Sequence, residues 1–297
     1  MKLVQYYTAS NTQVQLGIEL TSGILNVETL AKHFEDPSEY TMNSVIQKPH
    51  FQLQLKRLLE RYHYEDFDSE NFLEQSDHIY YLPVVQDPEK IICVGMNYVD
   101  YVKEVDGELP VTPIFYNIYN NALAAHRQEI PVPSVARDVD YSAELIVVIG
   151  KEASNINEKQ VSDYIFGYTI GNNLTDWTIQ MSSSQWMLGK TLNFFAPIGP
   201  TILTSDELVD PTNLAITLKV NNEIRQQGNT KDMIFTIPYI ISYLSRHITL
   251  KPGDLIFTGT PKGVIAGKPI AERQWLKQND LLEVSIQNIG TLSNQLK

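Results

Sequence analysis

Cysteine is almost absent from this chain, since Cys93 is the only one among 297 residues. A single thiol cannot form an intrachain disulfide, so a fold held by disulfides is excluded. The apolar neighbours of Cys93 predict a small buried side chain on a strand rather than a reactive thiol. The chain must therefore be held together by a hydrophobic core.

Positive charge is also scarce, because 23 Lys and Arg residues oppose 35 Asp and Glu residues. The formal net charge is −12, and the pI is near 4.9. A nucleic-acid surface needs clustered basic residues, so a nucleic-acid partner is excluded. A small anionic ligand is still compatible with this charge, since a few cations inside a pocket outweigh distant negative charge.

Long apolar runs are missing as well. No stretch of the sequence approaches the roughly 20 residues needed to span a bilayer, and residues 1–8 lack the apolar core of a secretory signal. With the single cysteine, these features predict a cytoplasmic protein without membrane contact. The content of 43% hydrophobic and 20% charged residues is typical of a globular protein.

Apolar spacing and turn residues divide the chain near residue 85. Residues Met1 to Val27 contain short apolar runs broken by polar turns, which predicts a small antiparallel ribbon. From Val27 to Phe72 the apolar spacing is helical. We therefore predict a small α+β domain over residues 1–85 and a β-rich domain over residues 86–297.

The second part of the chain alternates short apolar runs with Asn, Gly and Pro turn signals. This pattern is typical of a β-rich α+β fold. Apolar residues on one face predict a helix over Phe235–Ser245. The predicted strands are Ile91–Val94, Ile114–Tyr116, Leu145–Ile149, Tyr168–Asn172, Ile216–Val220, Leu255–Thr258 and Leu281–Ile286.

The segment Val139–Gly150 is the most informative one. In a strand, Tyr141 and Ala143 share a face with the apolar residues that follow, and Ser142 and Glu144 lie on the opposite face. A buried carboxylate is costly unless polar groups accompany it. Glu144 therefore predicts a site, and a second carboxylate beside it would indicate a metal site.

Tyr101 and Glu104 share a helical face, but tyrosine is a poor base because its ordinary pKa is about 10. Asn173 offers an amide oxygen, which holds a divalent cation only weakly. Asp176 could add charge to such a site, and it is equally suited to cap a helix, as is Thr175.

Lys190 lies among apolar residues, where a buried ammonium group needs an anion, either Glu144 or a substrate carboxylate. A lysine that faces solvent is equally consistent with the sequence. The turn Gly259-Thr260-Pro261 offers backbone N–H groups and a hydroxyl to a carboxylate or an enolate.

Taken together, these segments resemble the fumarylacetoacetate hydrolase family from about Pro88 to Gly263. The resemblance implies an α+β, β-rich fold, a mixed β-sandwich roll with a small N-terminal domain, usually assembled as a homodimer. It also implies cleavage or decarboxylation of 2-oxo diacids and acylpyruvates, or isomerisation of related dienes, with Mg²⁺ or Mn²⁺. The main markers are Gly95-Met96-Asn97-Tyr98, Asp140-Tyr141-Ser142-Ala143-Glu144-Leu145, Gly167-Tyr168-Thr169, Gly189-Lys190 and Pro252-Gly253-Asp254.

The resemblance further implies which positions form the site. The three carboxylate ligands of the family's metal correspond to Ser142, Glu144 and Asn173, so one carboxylate remains. The family's histidine base corresponds to Tyr101, and its acidic partner is retained as Glu104. Two further catalytic positions are retained, Lys190 and Thr260.

One carboxylate in place of three predicts weak or absent binding of Mg²⁺ or Mn²⁺. Without the metal, C–C cleavage lacks its main electrostatic support. We therefore expect a family fold that binds a small anionic ligand similar to a 2-oxo acid, with weak or lost metal-dependent C–C cleavage. A homodimer is expected from the resemblance, and a contact between Glu144 and Lys190 with no ion between them is also expected.

The alternative hypothesis is an active hydrolase, isomerase or decarboxylase that acts on a small 2-oxo diacid with altered site chemistry. In that case Asp176 or Glu104 supplies the missing charge, and Tyr101 acts as an acid or a hydrogen-bond donor.

Overall fold

The N-terminal region folds as an antiparallel ribbon followed by three helices, as its sequence pattern predicts. The computed structural model describes residues 1–65, 72–208 and 210–297, so part of the predicted helical region, residues 66–71, lies outside the described residues. The first elements are β1 (Lys2–Thr8), β2 (Gln15–Leu20), β3 (Gly23–Asn26), α1 (Val27–His33), α2 (Met42–Gln47) and α3 (Pro49–Tyr64).

Side chains fix where these helices begin. Asn26 accepts a hydrogen bond from the backbone of Thr29 at the start of α1, and Thr41 and Ser44 form a reciprocal cap on α2. Pro49 occupies the first position of α3, where its missing N–H leaves no hydrogen bond unmade.

The β-rich region contains each predicted strand and the predicted helix, with ends shifted by up to three residues. The helix begins at Ile237 rather than Phe235, because the Thr236 side chain caps it. Two short strands precede this region, β4 (Leu73–Glu74) and β5 (Ile79–Tyr81). Its own elements are β6 (Ile91–Gly95), α4 (Val99–Glu104), β7 (Ile114–Asn117), β8 (Leu123–Ala124), β9 (Val139–Asp140), β10 (Ala143–Ile149), β11 (Ile165–Asn172), β12 (Thr175–Asp176), α5 (Trp177–Gln180), α6 (Met187–Lys190), β13 (Ala196–Thr204), β14 (Ala215–Val220), β15 (Glu223–Asn229), α7 (Ile237–Ser245), β16 (Leu255–Phe257), β17 (Leu281–Ile286) and β18 (Gly290–Gln295).

One large sheet joins both parts of the chain. Its main path over the described residues is β4-β3-β2-β1-β13-β11-β10-β16-β6-β7, and β1 pairs antiparallel with β13. A smaller sheet, β15-β14-β17-β18, shares one apolar core with α7 and the large sheet, and helices α1 to α3 share another. This layered arrangement confirms the β-rich α+β fold class. A domain boundary near residue 85 stays a prediction.

Strand β10 shows the predicted alternation, and both of its faces are buried. Leu145, Val147 and Ile149 belong to the core under the smaller sheet, whereas Ile146 and Val148 belong to the core under α1 to α3. Glu144 shares the face of Ile146 by strand alternation. Cys93 is fully buried on β6, which lies beyond β16 in the same sheet, as predicted.

Among the described residues, no helix combines the length and the apolar character that crossing a bilayer would require.

Candidate active site

A cavity of about 780 Å³ lies at the ends of β6 and β10 and beside the turn after β16. Its wall contains every predicted site residue except Asn173, which lies behind Glu144. The predicted residues on the wall are Tyr101, Glu104, Ser142, Glu144, Lys190 and Thr260.

Glu144 is the buried acid of this cavity, with 2% of its surface exposed. Its Oε1 accepts a hydrogen bond from Asn173 Nδ2 at 3.0 Å, and its Oε2 accepts one from the Gly259 N–H at 2.8 Å. Burial raises the pKa of Glu144 to about 7, against the opposing effects of the Lys190 charge and of the two hydrogen bonds. The carboxyl group can therefore take up and release a proton near neutral pH.

Lys190 is also buried, but the expected contact with Glu144 is wrong. Its Nζ donates to the backbone oxygen of Asn173 at 3.1 Å, and no ion pair within 4.0 Å joins it to Glu144, both residues being described. Burial lowers the pKa of Lys190, while the charge of Glu144 acts to raise it. Each charge therefore affects the pKa of the other group, although no hydrogen bond or ion pair joins them.

Asn173 holds Glu144 through its amide nitrogen. Nδ2 donates both to Glu144 and to the Tyr116 hydroxyl, the latter at 2.9 Å, and the buried Oδ1 has no hydrogen-bond partner. The family's metal positions thus hold one carboxylate, one hydroxyl and one amide. In the described parts of the chain, no group of three or more His, Cys, Asp or Glu side chains could hold a metal ion.

Tyr101 and Glu104 both reach the cavity from α4, yet no hydrogen bond joins these two described side chains. Burial raises the pKa of Tyr101 above its ordinary value, so its hydroxyl stays protonated near neutral pH. The Gly263 N–H donates to both carboxylate oxygens of Glu104, at 3.0 and 2.8 Å. Glu104 therefore fixes a loop, and the expectation that it would add charge to a metal site is not met by its contacts.

The sequence predicts that the N–H groups and the hydroxyl of the Gly259-Thr260 turn face a ligand, and the structure differs at Gly259. The N–H of Gly259 points to Glu144 rather than toward a ligand. Gly259 has a φ of +93°, and a side chain there would lie 2.9 Å from Asn97, so the turn requires glycine. The Thr260 hydroxyl accepts a hydrogen bond from Gln226 Nε2 at 2.9 Å, which leaves its own proton free to be donated into the cavity.

Two further buried acids are structural. Asp176 accepts hydrogen bonds from the backbone of Asp138 and Ile179, and it caps α5, so the alternative in which it completes a metal site is wrong. Asp140 accepts from the indole of Trp177 and from three backbone N–H groups, those of Tyr141, Ile265 and Ala266. The role of Asp140 was missed because its partners are distant in sequence.

Sequence reasoning also missed two cations on the cavity wall, Lys268 and Arg273. They lie on the loop between Ala266 and Trp275, which carries no motif and has little regular structure. Only the folded loop shows that both residues reach the cavity.

Comparison with known proteins identifies the family. Residues 90–297 match the family model described as "Fumarylacetoacetate (FAA) hydrolase C-terminal". An oxaloacetate tautomerase of Xenopus laevis, named as mitochondrial, is 35% identical over 298 residues, covering 99% of this chain and 89% of that protein. A fumarylacetoacetate hydrolase domain-containing protein 2 homolog of Dictyostelium discoideum is 41% identical over 222 residues, covering 71% and 72%.

Solved structures agree with the sequence relatives. A fumarylacetoacetate hydrolase from the psychrophile Exiguobacterium antarcticum superimposes with a TM-score of 0.82 at 29% identity, covering 100% of this chain and 99% of the other. The match extends through the N-terminal ribbon and helices as well as the β-rich region. The chain belongs to the fumarylacetoacetate hydrolase family.

Proposed function

We propose that this chain is an active enzyme that moves a proton on a small 2-oxo diacid, interconverting its keto and enol forms. The observation that carries the proposal is Glu144, a buried carboxyl group on the cavity wall whose pKa is raised to about 7. A general acid or base works best when its pKa is close to the working pH.

The proposed reaction needs fewer groups than C–C cleavage does. The C3–H bond breaks, Glu144 takes the proton, and the electron pair of that bond becomes the C2–C3 double bond. The C2 oxygen then gains a proton, for which the protonated hydroxyl of Tyr101 is the donor, and the Lys190 ammonium supplies positive charge near the developing enolate. Proton exchange with solvent then returns Glu144 to the carboxylate and Tyr101 to the hydroxyl, so no net proton is consumed. No water has to be activated, so the absence of a histidine at position 101 does not obstruct the reaction.

We further propose that binding of Mg²⁺ or Mn²⁺ by this site is weak. The resemblance implied such an ion, but the donor set fits it poorly, because Glu144 is the one carboxylate at the three ligand positions. Asn173 turns its amide nitrogen toward Glu144, and the Lys190 charge already acts on that carboxylate. No step of the proposed reaction depends on a metal ion.

The names of the relatives support an active enzyme better than the hypothesis of lost activity. Several matched proteins, including those of Xenopus laevis and Homo sapiens, are named oxaloacetate tautomerases. This favours the alternative stated from the sequence, with tautomerisation as the altered chemistry. The same names place those relatives in mitochondria, so a cytoplasmic location for this chain stays a prediction, as does a homodimer.

The test follows the loss of enol absorbance when oxaloacetate is added, with and without a chelator. We expect turnover that survives the chelator, and a roughly 100- to 10,000-fold lower kcat for Glu144→Gln. Glu104→Gln is the matched control, and its kcat should fall less than about tenfold because Glu104 bonds to a loop. Turnover that depends on added Mg²⁺ or Mn²⁺, or a Glu144→Gln variant with full activity, would overturn the proposal.

A further inference from the structure

The outer wall of the cavity carries two basic side chains with free charged ends, Lys268 and Arg273. Arg273 Nε donates to the Lys268 backbone oxygen at 3.0 Å, and the guanidinium centre lies 5.9 Å from the ring centroid of Trp275. Within the described part of the chain, neither the terminal nitrogens of Arg273 nor Nζ of Lys268 makes a hydrogen bond or an ion pair. The loop thus orients the Arg273 side chain and leaves its terminal guanidinium nitrogens available to a ligand.

The neighbouring acids do not neutralise these cations. Burial raises the pKa of Glu104, and the Gly263 hydrogen bond and the Lys268 charge oppose that rise; the carboxylate of Glu104 is bonded to the Gly263 N–H rather than to Lys268. Asp138 accepts a hydrogen bond from Thr178, and Asp106 is exposed at the rim. In a chain with a net charge of −12, free cations at a cavity are the feature that would attract an anion.

Lys190 and the pair Lys268 and Arg273 lie in different parts of the cavity. Lys190 Nζ donates to the backbone oxygen of Asn173, which holds Glu144 at the buried end, whereas Lys268 follows Gly267, where an added Cβ would lie 2.5 Å from Glu104 Cδ. An arginine fork binds a carboxylate through two parallel hydrogen bonds, which gives both affinity and orientation.

We propose that Lys268 and Arg273 form a subsite for the second carboxylate of the substrate, so that they select diacids over monoacids. The inference deepens the proposed function and rests on it for the assignment of the 2-oxo end to Glu144 and Lys190. A cavity of about 780 Å³ accommodates a small diacid between the two ends.

A binding experiment tests the subsite without relying on turnover. Succinate and butanoate have the same number of carbons and differ in one carboxylate, so their dissociation constants are compared by calorimetry. We expect the wild-type protein to bind succinate at least about tenfold more tightly than butanoate. The ratio should fall to within about threefold in the double variant Lys268→Gln with Arg273→Gln, and Arg273→Lys should keep part of the preference.

Arg246→Gln is the matched control, because Arg246 is exposed on the helix end away from the cavity wall. It should leave the ratio unchanged. In the oxaloacetate assay, Arg273→Gln should raise KM roughly tenfold and change kcat less than about threefold. A folded double variant that still prefers succinate as strongly as the wild type overturns the subsite.

The two proposals fail in different ways. If the wild type turns over oxaloacetate and the double variant keeps its preference for succinate, the subsite is wrong and the proposed function stands. If no turnover occurs but the preference is lost in the double variant, the subsite stands as an anion site and the proposed function is wrong.

Discussion

Glu144 and Asp140 lie only four residues apart, both are almost completely buried, and burial raises the pKa of each. They differ in their surroundings. Asp140 accepts four hydrogen bonds and does not line the cavity, whereas Glu144 accepts two and faces the cavity. Burial alone therefore does not identify a functional acid; unfilled acceptor capacity and access to a ligand do.

The largest effect on stability is expected for Asp140→Asn. The amide replaces one acceptor oxygen with a donor that faces N–H groups, so one pair of donors, either Tyr141 with Ile265 or Trp177 with Ala266, loses its acceptor. We expect the free energy of unfolding to fall by roughly 3–5 kcal/mol, measured by urea denaturation. Asp163→Asn, at an exposed position, is the control; a loss below about 1 kcal/mol for Asp140→Asn would remove the distinction between the two acids.

The effect of Glu144→Gln on the free energy of unfolding should depend on pH. The folded-state pKa of about 7 is above the ordinary value of 4.5, so the folded protein binds this proton more tightly than the unfolded chain does. The stabilisation is complete below pH 4.5 and is lost as the pH rises through 7. The free energy of unfolding of the wild type should therefore fall, relative to the variant, by about 3 kcal/mol between pH 4 and pH 8.

Urea denaturation at a series of pH values checks this difference. Glu39→Gln, at an exposed position, should follow the wild type across the same range. If the free energy of unfolding changes with pH equally in the wild type and in Glu144→Gln, the pKa of Glu144 is not raised by folding. The functional distinction between Glu144 and Asp140 would then be wrong.

A smaller effect is expected for Asn173→Asp, which places a second carboxylate against Glu144. Like charges at hydrogen-bond distance raise the pKa of the pair, so the pH profile of kcat/KM for oxaloacetate should move to higher pH by about one unit. Asn173→Ala removes the same donor without adding charge, and its profile should move less. Equal shifts in both variants would show that the lost hydrogen bond, rather than the added charge, controls Glu144.

Local patterns in the sequence determined much of this protein. The strands after residue 86, the helix beside them and the alternation that separates Glu144 from its apolar neighbours are set by side-chain period and turn residues, which act over a few positions. Seven site residues were predicted from the same patterns and from the family resemblance, and six of them lie on one cavity wall.

The tertiary structure decided how those residues are used. Glu144 is held by Gly259, 115 residues away, and by Asn173, whereas Asp176 turns to cap a helix and Lys190 bonds to a backbone oxygen. Hydrogen bonds between distant segments depend on how loops pack over the sheet, and the periodicity of a strand or helix does not predict that packing. For the same reason, only the tertiary structure shows that the loop bearing Lys268 and Arg273 lines the cavity.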